Sequence, residues 1–163
     1  MVLAVTKTEL RNLLLASPFT KIYGFRLRSI ADGECTLHVP FQAAFERPGG
    51  IVSGPVLMAA ADVAMWVAIL TRLGAADMSV TAKMTTAFLN AARQEDFDCT
   101  AKILKLGARL IYGTAECVNM TGKLLTHHTM TYIRPDIPVR ISARHSAGPS
   151  PVKMRSSRRT FET

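Results

Sequence analysis

Two hydrophobic periods run along the chain, one near 3.6 residues and one of two, and the changes between them mark helices and strands. Thr6-Lys-Thr-Glu9 has the S/T-x-x-E form of a capping box, and Leu10, Leu13 and Leu14 follow at helical spacing. This predicts an amphipathic helix over about 7–16, ended by Ser17-Pro18. Residues 24–30 and 34–39 then alternate apolar with polar side chains, and Ala31-Asp-Gly33 between them is a turn signal, so a β-hairpin is expected. A loop with Pro48, Gly49 and Gly50 leads into a helix over 55–70, with Pro55 suited to its first turn and Gly74 to its stop.

From Val56 to Leu70 every residue except Asp62 is apolar, so this helix must be covered on nearly all sides. Segments 78–89, 97–106, 109–118 and 123–133, rich in Thr, Val, Ile, Tyr and Phe, supply the cover as strands. Gly107-Ala108 and Met120-Thr-Gly122 mark tight turns between the last three. The predicted architecture is α+β: one antiparallel sheet, ending in a four-strand meander, curled around a long central helix. The stretch 51–70 is long enough to span a bilayer, but Ser53, Gly54, Pro55 and the charge of Asp62 argue for a loop and a buried helix, so no membrane partner is expected.

Composition refines this picture in three ways. At 163 residues and 48% hydrophobic, the chain has material for one ordinary core, and a folded domain is expected over 1–135. Of the net charge of +8, half falls in residues 136–163, where six basic residues oppose two acidic ones among prolines and serines with no hydrophobic period. That segment reads as a solvated basic tail; its Arg155-Ser-Ser-Arg-Arg159 run is of a kind that touches nucleic acid or anionic lipid, although nucleic acid is not the expected partner. Cys35, Cys99 and Cys117 are odd in number, widely spaced and without C-x-x-C, which indicates neither a disulfide framework nor a metal site. With no charge-first signal pattern at the N-terminus, a reducing, cytoplasmic setting is the expectation.

Asp62 is the most informative residue. A carboxylate inside an apolar helix loses hydration and must be paired, hydrogen-bonded or put to chemical use, and the sequence leaves these open. Ser53-Gly54-Pro55 is the second feature. Free N–H groups and the positive end of the helix dipole emerge there, suited either to ordinary capping by Ser53 or to holding a carbonyl oxygen whose charge grows during attack. Eight residues at a rise of ~1.5 Å separate Gly54 from Asp62 by roughly 12 Å. One helix therefore cannot bring both to one carbonyl carbon, whereas two antiparallel copies related by a two-fold axis can.

The run Gly49-Gly-Ile-Val-Ser-Gly-Pro-Val-Leu-Met-Ala-Ala-Ala-Asp62, followed by 80–89, Lys105-Leu-Gly-Ala-Arg-Leu110, Gly122-Lys-Leu-Leu-Thr126 and Thr131-Tyr132, resembles the hotdog-fold acyl-CoA thioesterases of the phenylacetate-pathway (PaaI) type over about 8–135. The resemblance implies an edge-to-edge homodimer, often paired again into a tetramer, and hydrolysis of an acyl-CoA substrate at the subunit interface without a metal or redox cofactor. It implies Gly54 as the backbone donor to the thioester carbonyl, Asp62 as nucleophile or general base, and Thr81 as a hydroxyl assisting Asp62 or its water. It places the CoA contacts where Asn90, Arg93 and Lys105 stand.

The chain departs from that pattern at Ser53 and Pro55, where the family has His and Gly, and at Arg47, where it often has Asn or Gln. The Gly54 N–H survives the first change. Arg47 is a permanent cation with donors only, expected to pair with Asp62 or to bind an anionic group of the substrate. Met58 and Met65 flank Asp62 on a helical face with Trp66, as core or as the lining of an acyl pocket. Arg47, Ser53 and Trp66 thus join Asn90, Arg93 and Lys105 as the expected substrate-binding set. His38, His127 and His128 read as structural, the last two pointing to opposite faces of a strand. A hotdog hydratase needs a His near the helix carboxylate, and none lies between His38 and His127. A non-catalytic acyl-CoA binding or sensing protein, motivated by Arg47, is the alternative.

Overall fold

The computed structural model describes residues 2–135; the expected basic tail at 136–163 lies outside the described residues. The predicted capping box forms: Thr6 accepts from the Glu9 N–H, and the Glu9 carboxylate accepts from the Thr6 N–H, starting α1 (Lys7–Ala16). Pro18 does not simply end helical structure. Its fixed φ and missing N–H suit a first helical position, and it opens a second short helix, α2 (Pro18–Tyr23), which Gly24 closes in the left-handed region at φ 64°.

The hairpin follows as β1 (Arg26–Ala31) and β2 (Glu34–Val39), then a single 3-10 turn at Ala43–Phe45. A miniature hairpin, β3 (Glu46–Arg47) and β4 (Ile51–Val52), turns through Gly49 and Gly50 at φ 101° and 67°, conformations L side chains rarely adopt. The central helix α3 (Gly54–Leu73) ends at Gly74, φ 89°. The strands β5 (Val80–Phe88), β6 (Phe97–Leu106), β7 (Leu110–Asn119) and β8 (Leu124–Ile133) complete the chain.

The main sheet is antiparallel in the order β1-β2-β6-β7-β8-β5. Only β6, β7 and β8 form the meander; the fourth expected member, β5, crosses to the far edge and pairs with β8, Thr81 opposite Tyr132 and Phe88 opposite Thr126. The outer edge of β5 has no strand partner among the described residues. The inner face of the sheet wraps α3, which packs chiefly across β2, β6 and β7. The approach is closest at Gly113 of β7. A Cβ there would overlap the Met65 methyl and lie 2.5 Å from the Lys102 carbonyl oxygen, so only glycine fits.

By length and hydropathy α3 is long enough to cross a membrane, yet two-thirds of its most apolar window is buried in the fold, as expected of a core helix. Its coverage is incomplete along one stripe. Pro55, Met58, Ala59, Asp62 and Trp66, at helical spacing, are exposed or half-buried while Met65 is sealed beneath Gly113. Met65 therefore does not share the face of Asp62, whereas Met58 and Trp66 do. The three cysteines are buried free thiols. His128 is buried and satisfied, Nδ1 2.9 Å from the Thr86 hydroxyl and Nε2 2.7 Å from that of Thr126; His127 faces the other way. His38 stands between two carboxylates, 3.3 Å from Asp96 and 3.0 Å from Asp98, on the β2–β6 side remote from Asp62.

Candidate active site

The stripe of α3 meets the end of the sheet at Asp62. Thr81, at the start of β5, donates its hydroxyl to Asp62 Oδ1 at 2.6 Å, and the Tyr132 phenol of β8 donates to the same oxygen at 2.6 Å and lies 2.9 Å from the Asp62 carbonyl oxygen. Both donors thus hold Oδ1, and no donor among the described residues reaches Oδ2. Tyr132 is only 2% exposed. Burial first, and then the negative charge and hydrogen bond of Asp62, raise its pKa well above the ordinary phenol value, so Tyr132 remains a donor across the physiological range. Asp62 is consequently a fixed, half-solvated carboxylate with one oxygen restrained and one open.

At the other end of the same stripe lies Gly54. The β3–β4 hairpin sets it in place: the Ser53 N–H donates to the Phe45 carbonyl at 2.8 Å and the Val52 N–H to the Ala92 carbonyl at 2.9 Å. Ser53 occupies the N-cap but its hydroxyl makes no capping bond, contrary to the ordinary capping role open to it in the sequence. The Gly54 N–H is a first-turn donor without an intrahelical acceptor. A Cβ on Gly54 would lie 3.0 Å from the Phe88 ring, which stands over this helix start. Around it opens a cavity of about 390 Å³ whose lining includes Arg47, Ile51, Gly54, Leu57, Phe88 and Asn90. Asn90 anchors itself there by donating from Nδ2 to the Leu124 carbonyl at 2.8 Å.

The site residues expected from the sequence thus fall into two groups. Asp62 and Thr81 touch, with Trp66 one turn along the helix; Arg47, Gly54 and Asn90 share the cavity at the opposite end of β5. Arg47 does not pair with Asp62 within the chain, whose carboxylate is engaged by Thr81 and Tyr132. Arg93 lies just past Asn90, its N–H 3.3 Å from the Glu95 carboxylate. Lys105 is elsewhere: it pairs across the sheet with Tyr112, in the row leading through Thr131 to Lys83, at the Asp62 end. The three expected CoA contacts therefore form no single cluster in one chain.

Tyr132 was the residue missed, and its signal was present. Alternation in β8 puts Tyr132 on the same inner face as His128 and Met130, and a phenol sent under an apolar helix needs an acceptor.

A long helix wrapped by a six-stranded antiparallel sheet, with a carboxylate on its one uncovered stripe, defines a hotdog domain. The family model of the thioesterase superfamily matches residues 49–126, from the β3–β4 turn into β8. A Saccharolobus solfataricus protein named for an inferred esterase activity is 28% identical over 109 residues, spanning 67% of this chain and 77% of its own. Among solved structures, zebrafish thioesterase superfamily member 2 is similar with TM-score 0.71 and 25% identity over 83% of this chain and 99% of its own. The Escherichia coli PaaI protein of the phenylacetic acid degradation operon has the same fold, with TM-score 0.70 and 18% identity over 76% and 88% of the two chains. The chain thus has the hotdog fold, and its residues 49–126 match the thioesterase superfamily.

Proposed function

We propose that the protein hydrolyses acyl-CoA thioesters at a site shared between two copies of the chain. The observation that carries this reading is the asymmetric anchoring of Asp62, with two hydroxyls on Oδ1 and none on Oδ2. An anchored carboxylate with one open oxygen is suited either to attack a carbonyl carbon or to take a proton from water. The oxyanion that results needs a preorganised donor, and the Gly54 N–H is one. The match of residues 49–126 to the thioesterase superfamily supports the reaction class, and the fold is shared with a Streptococcus pneumoniae thioesterase-type protein solved with coenzyme A, at TM-score 0.62 and 13% identity.

The two-chain arrangement follows from where the pieces lie. Along β5 the two ends are marked by Thr81, bonded to Asp62, and Phe88, stacked over Gly54. A two-fold axis between Met84 and Thr85 pairs the open edge of β5 with its copy and sets Thr81 opposite the partner's Phe88. The same operation brings Asp62 toward the partner's Gly54.

Thiol release from a panel of short, medium, long and aryl acyl-CoAs, measured for the native protein and for Asp62→Asn, tests the proposal. Release by the native protein, falling by orders of magnitude in Asp62→Asn with the oligomeric state unchanged, is the expected result; equal release by both sinks it. Single-turnover hydrolysis in ¹⁸O-water detects a covalent route, since label in the Asp62 carboxylate requires an acyl anhydride opened by water at its aspartyl carbonyl.

A further inference from the structure

Apolar side chains make up most of the lining of the cavity beside Gly54, and the cation there, Arg47, has no carboxylate paired with it among the described residues. Arg47 is held in place by its backbone pairing with Ile51 in the β3–β4 hairpin, the same hairpin that positions Gly54. The neighbouring acid, Glu46, accepts from the Gln94 amide at 2.9 Å, and alternation along β3 sends its side chain to the other face. A guanidinium at the edge of a largely apolar pocket, with no counter-ion among the described residues, is matched by a ligand with a short apolar body and one anionic end. From this, and resting on the thioesterase reading above, we propose that the preferred acyl group carries a terminal carboxylate held by Arg47, so that the substrates are thioesters of dicarboxylic acids.

Two sources of anionic oxygen exist in an acyl-CoA, the acyl chain and the CoA phosphates, and the cavity favours the first. At about 390 Å³ it lies at the small end of the ~300–1,000 Å³ range of ligand sites. That volume accommodates an acyl group of a few carbons. Its apolar walls, Ile51, Leu57 and Phe88 among them, suit methylenes better than a multiply charged, strongly hydrated phosphate. A single carboxylate also matches a single guanidinium fork in shape, two oxygens to two N–H groups. Because Arg47 is itself exposed, the discrimination expected is modest, about tenfold, at the lower end for a charge-assisted pair.

The test compares kcat/KM for length-matched pairs: succinyl- with butyryl-CoA, glutaryl- with pentanoyl-CoA, and adipyl- with hexanoyl-CoA. The expected result is a preference of about tenfold or more for the carboxyl-bearing member of at least one pair, collapsing toward unity in Arg47→Gln and partly retained in Arg47→Lys. The reading is the ratio within a pair, so a loss of rate common to both members leaves it unaffected. Equal rates within every pair, or a preference untouched by Arg47→Gln, overturn the proposal. The same acids presented as pantetheine thioesters, which lack the nucleotide, keep the Arg47-dependent ratio if the acyl carboxylate is the ligand. Losing it there assigns Arg47 to a CoA phosphate and overturns the proposal. Should no thioester turn over, the hydrolytic reading fails by itself; dissociation constants of matched carboxyalkyl and alkyl thioethers of CoA then give the same ratio, and equal constants overturn the role of Arg47.

Discussion

If each site joins Asp62 of one chain to Gly54 of its partner, two inactive variants should rescue one another on mixing. Gly54→Pro removes the N–H: position 54 opens the helix, where proline is preorganised, and Ser53 already has the extended conformation a following proline requires, φ −64° and ψ 138°, although residue 54 itself precedes Pro55 and any side chain there adds some strain. The added ring carbons press on the Phe88 ring, a side chain and not backbone. Loss of one oxyanion donor costs about 10²–10³ in kcat. Gly54→Ala, with a similar Cβ contact but an intact N–H, controls for crowding. In a heterodimer of Gly54→Pro and Asp62→Asn, one site carries both lesions and the other carries neither. Random exchange makes heterodimers about half of the dimers, each with one intact site of two, so the mixture should recover about 25% of native activity. The assay is thiol release after co-expression with two different tags, with heterodimer formation verified by mass. Heterodimers that recover nothing would mean that each site lies within one chain, and the two-fold reasoning would be wrong.

Tyr132→Phe should separate positioning from folding. It removes one hydroxyl bond to a carboxylate and leaves the ring in place, so a stability loss of about 1–2 kcal/mol is expected, together with a fall in kcat of roughly tenfold at little-changed KM, read by thermal melts and steady-state kinetics. Gly113→Ala should destabilise by about 1–3 kcal/mol, and by ~2–4 °C in Tm for each kcal/mol in a chain of this size, because the Lys102 carbonyl it meets is backbone and cannot yield. Stability should also fall in alkali. Burial, aided by the charge of Glu34, pushes the Cys35 thiol up from 9.0, and burial with the Asp62 charge pushes the Tyr132 phenol up from 10.0. Each group holds its proton more tightly folded than unfolded, so its contribution is complete below the unfolded value and is lost as pH rises above it, at up to ~1.4 kcal/mol per pH unit for each group. Urea unfolding under reducing conditions at pH 7, 9 and 10 should show this decline, with a shallower slope for Cys35→Ala; a flat profile would contradict it.

Local sequence carried most of the strands and less of their order. The segment 97–106 emerges as β6 with the bounds expected from its alternation, and the turns at Gly107 and Gly122 close the β6–β7–β8 meander. β5 was legible as a strand, but its partner was not, because pairing is chosen by the whole sheet. One clue existed: the connection 89–96 is longer than the two to five residues that join hairpin strands and lacks their turn chemistry. Pro18 was ambiguous because the same fixed φ that stops one helix starts the next. The two-residue strands β3 and β4 are too short to carry a period, although they position Arg47 and Gly54. At the site, Asp62 stood out by its cost in an apolar helix and Thr81 came with the family resemblance. Tyr132 required alternation in β8 to be combined with the location of Asp62, two elements 70 residues apart.

The two incomplete surfaces of the chain lie side by side. Among the described residues, nothing covers the stripe of α3 from Pro55 to Trp66, and the neighbouring strand β5 has an unpaired edge with Val80 and Phe88 more than half exposed. An open edge invites pairing, and an apolar stripe containing one carboxylate is tolerable in water only while that carboxylate is hydrated. In the proposed dimer a single two-fold operation addresses both. It also withdraws water from Asp62, which raises the cost of its charge and makes the Thr81 and Tyr132 hydroxyls more valuable to it, since charge-assisted bonds strengthen as the local dielectric falls. The same step brings up the partner's Gly54 N–H. A lone chain would therefore have a hydrated carboxylate and a donor too far away to share its substrate. Association, desolvation of Asp62 and completion of the oxyanion site are on this reading one event, which explains why a residue so unfavourable for the fold of one copy stands at the middle of its central helix.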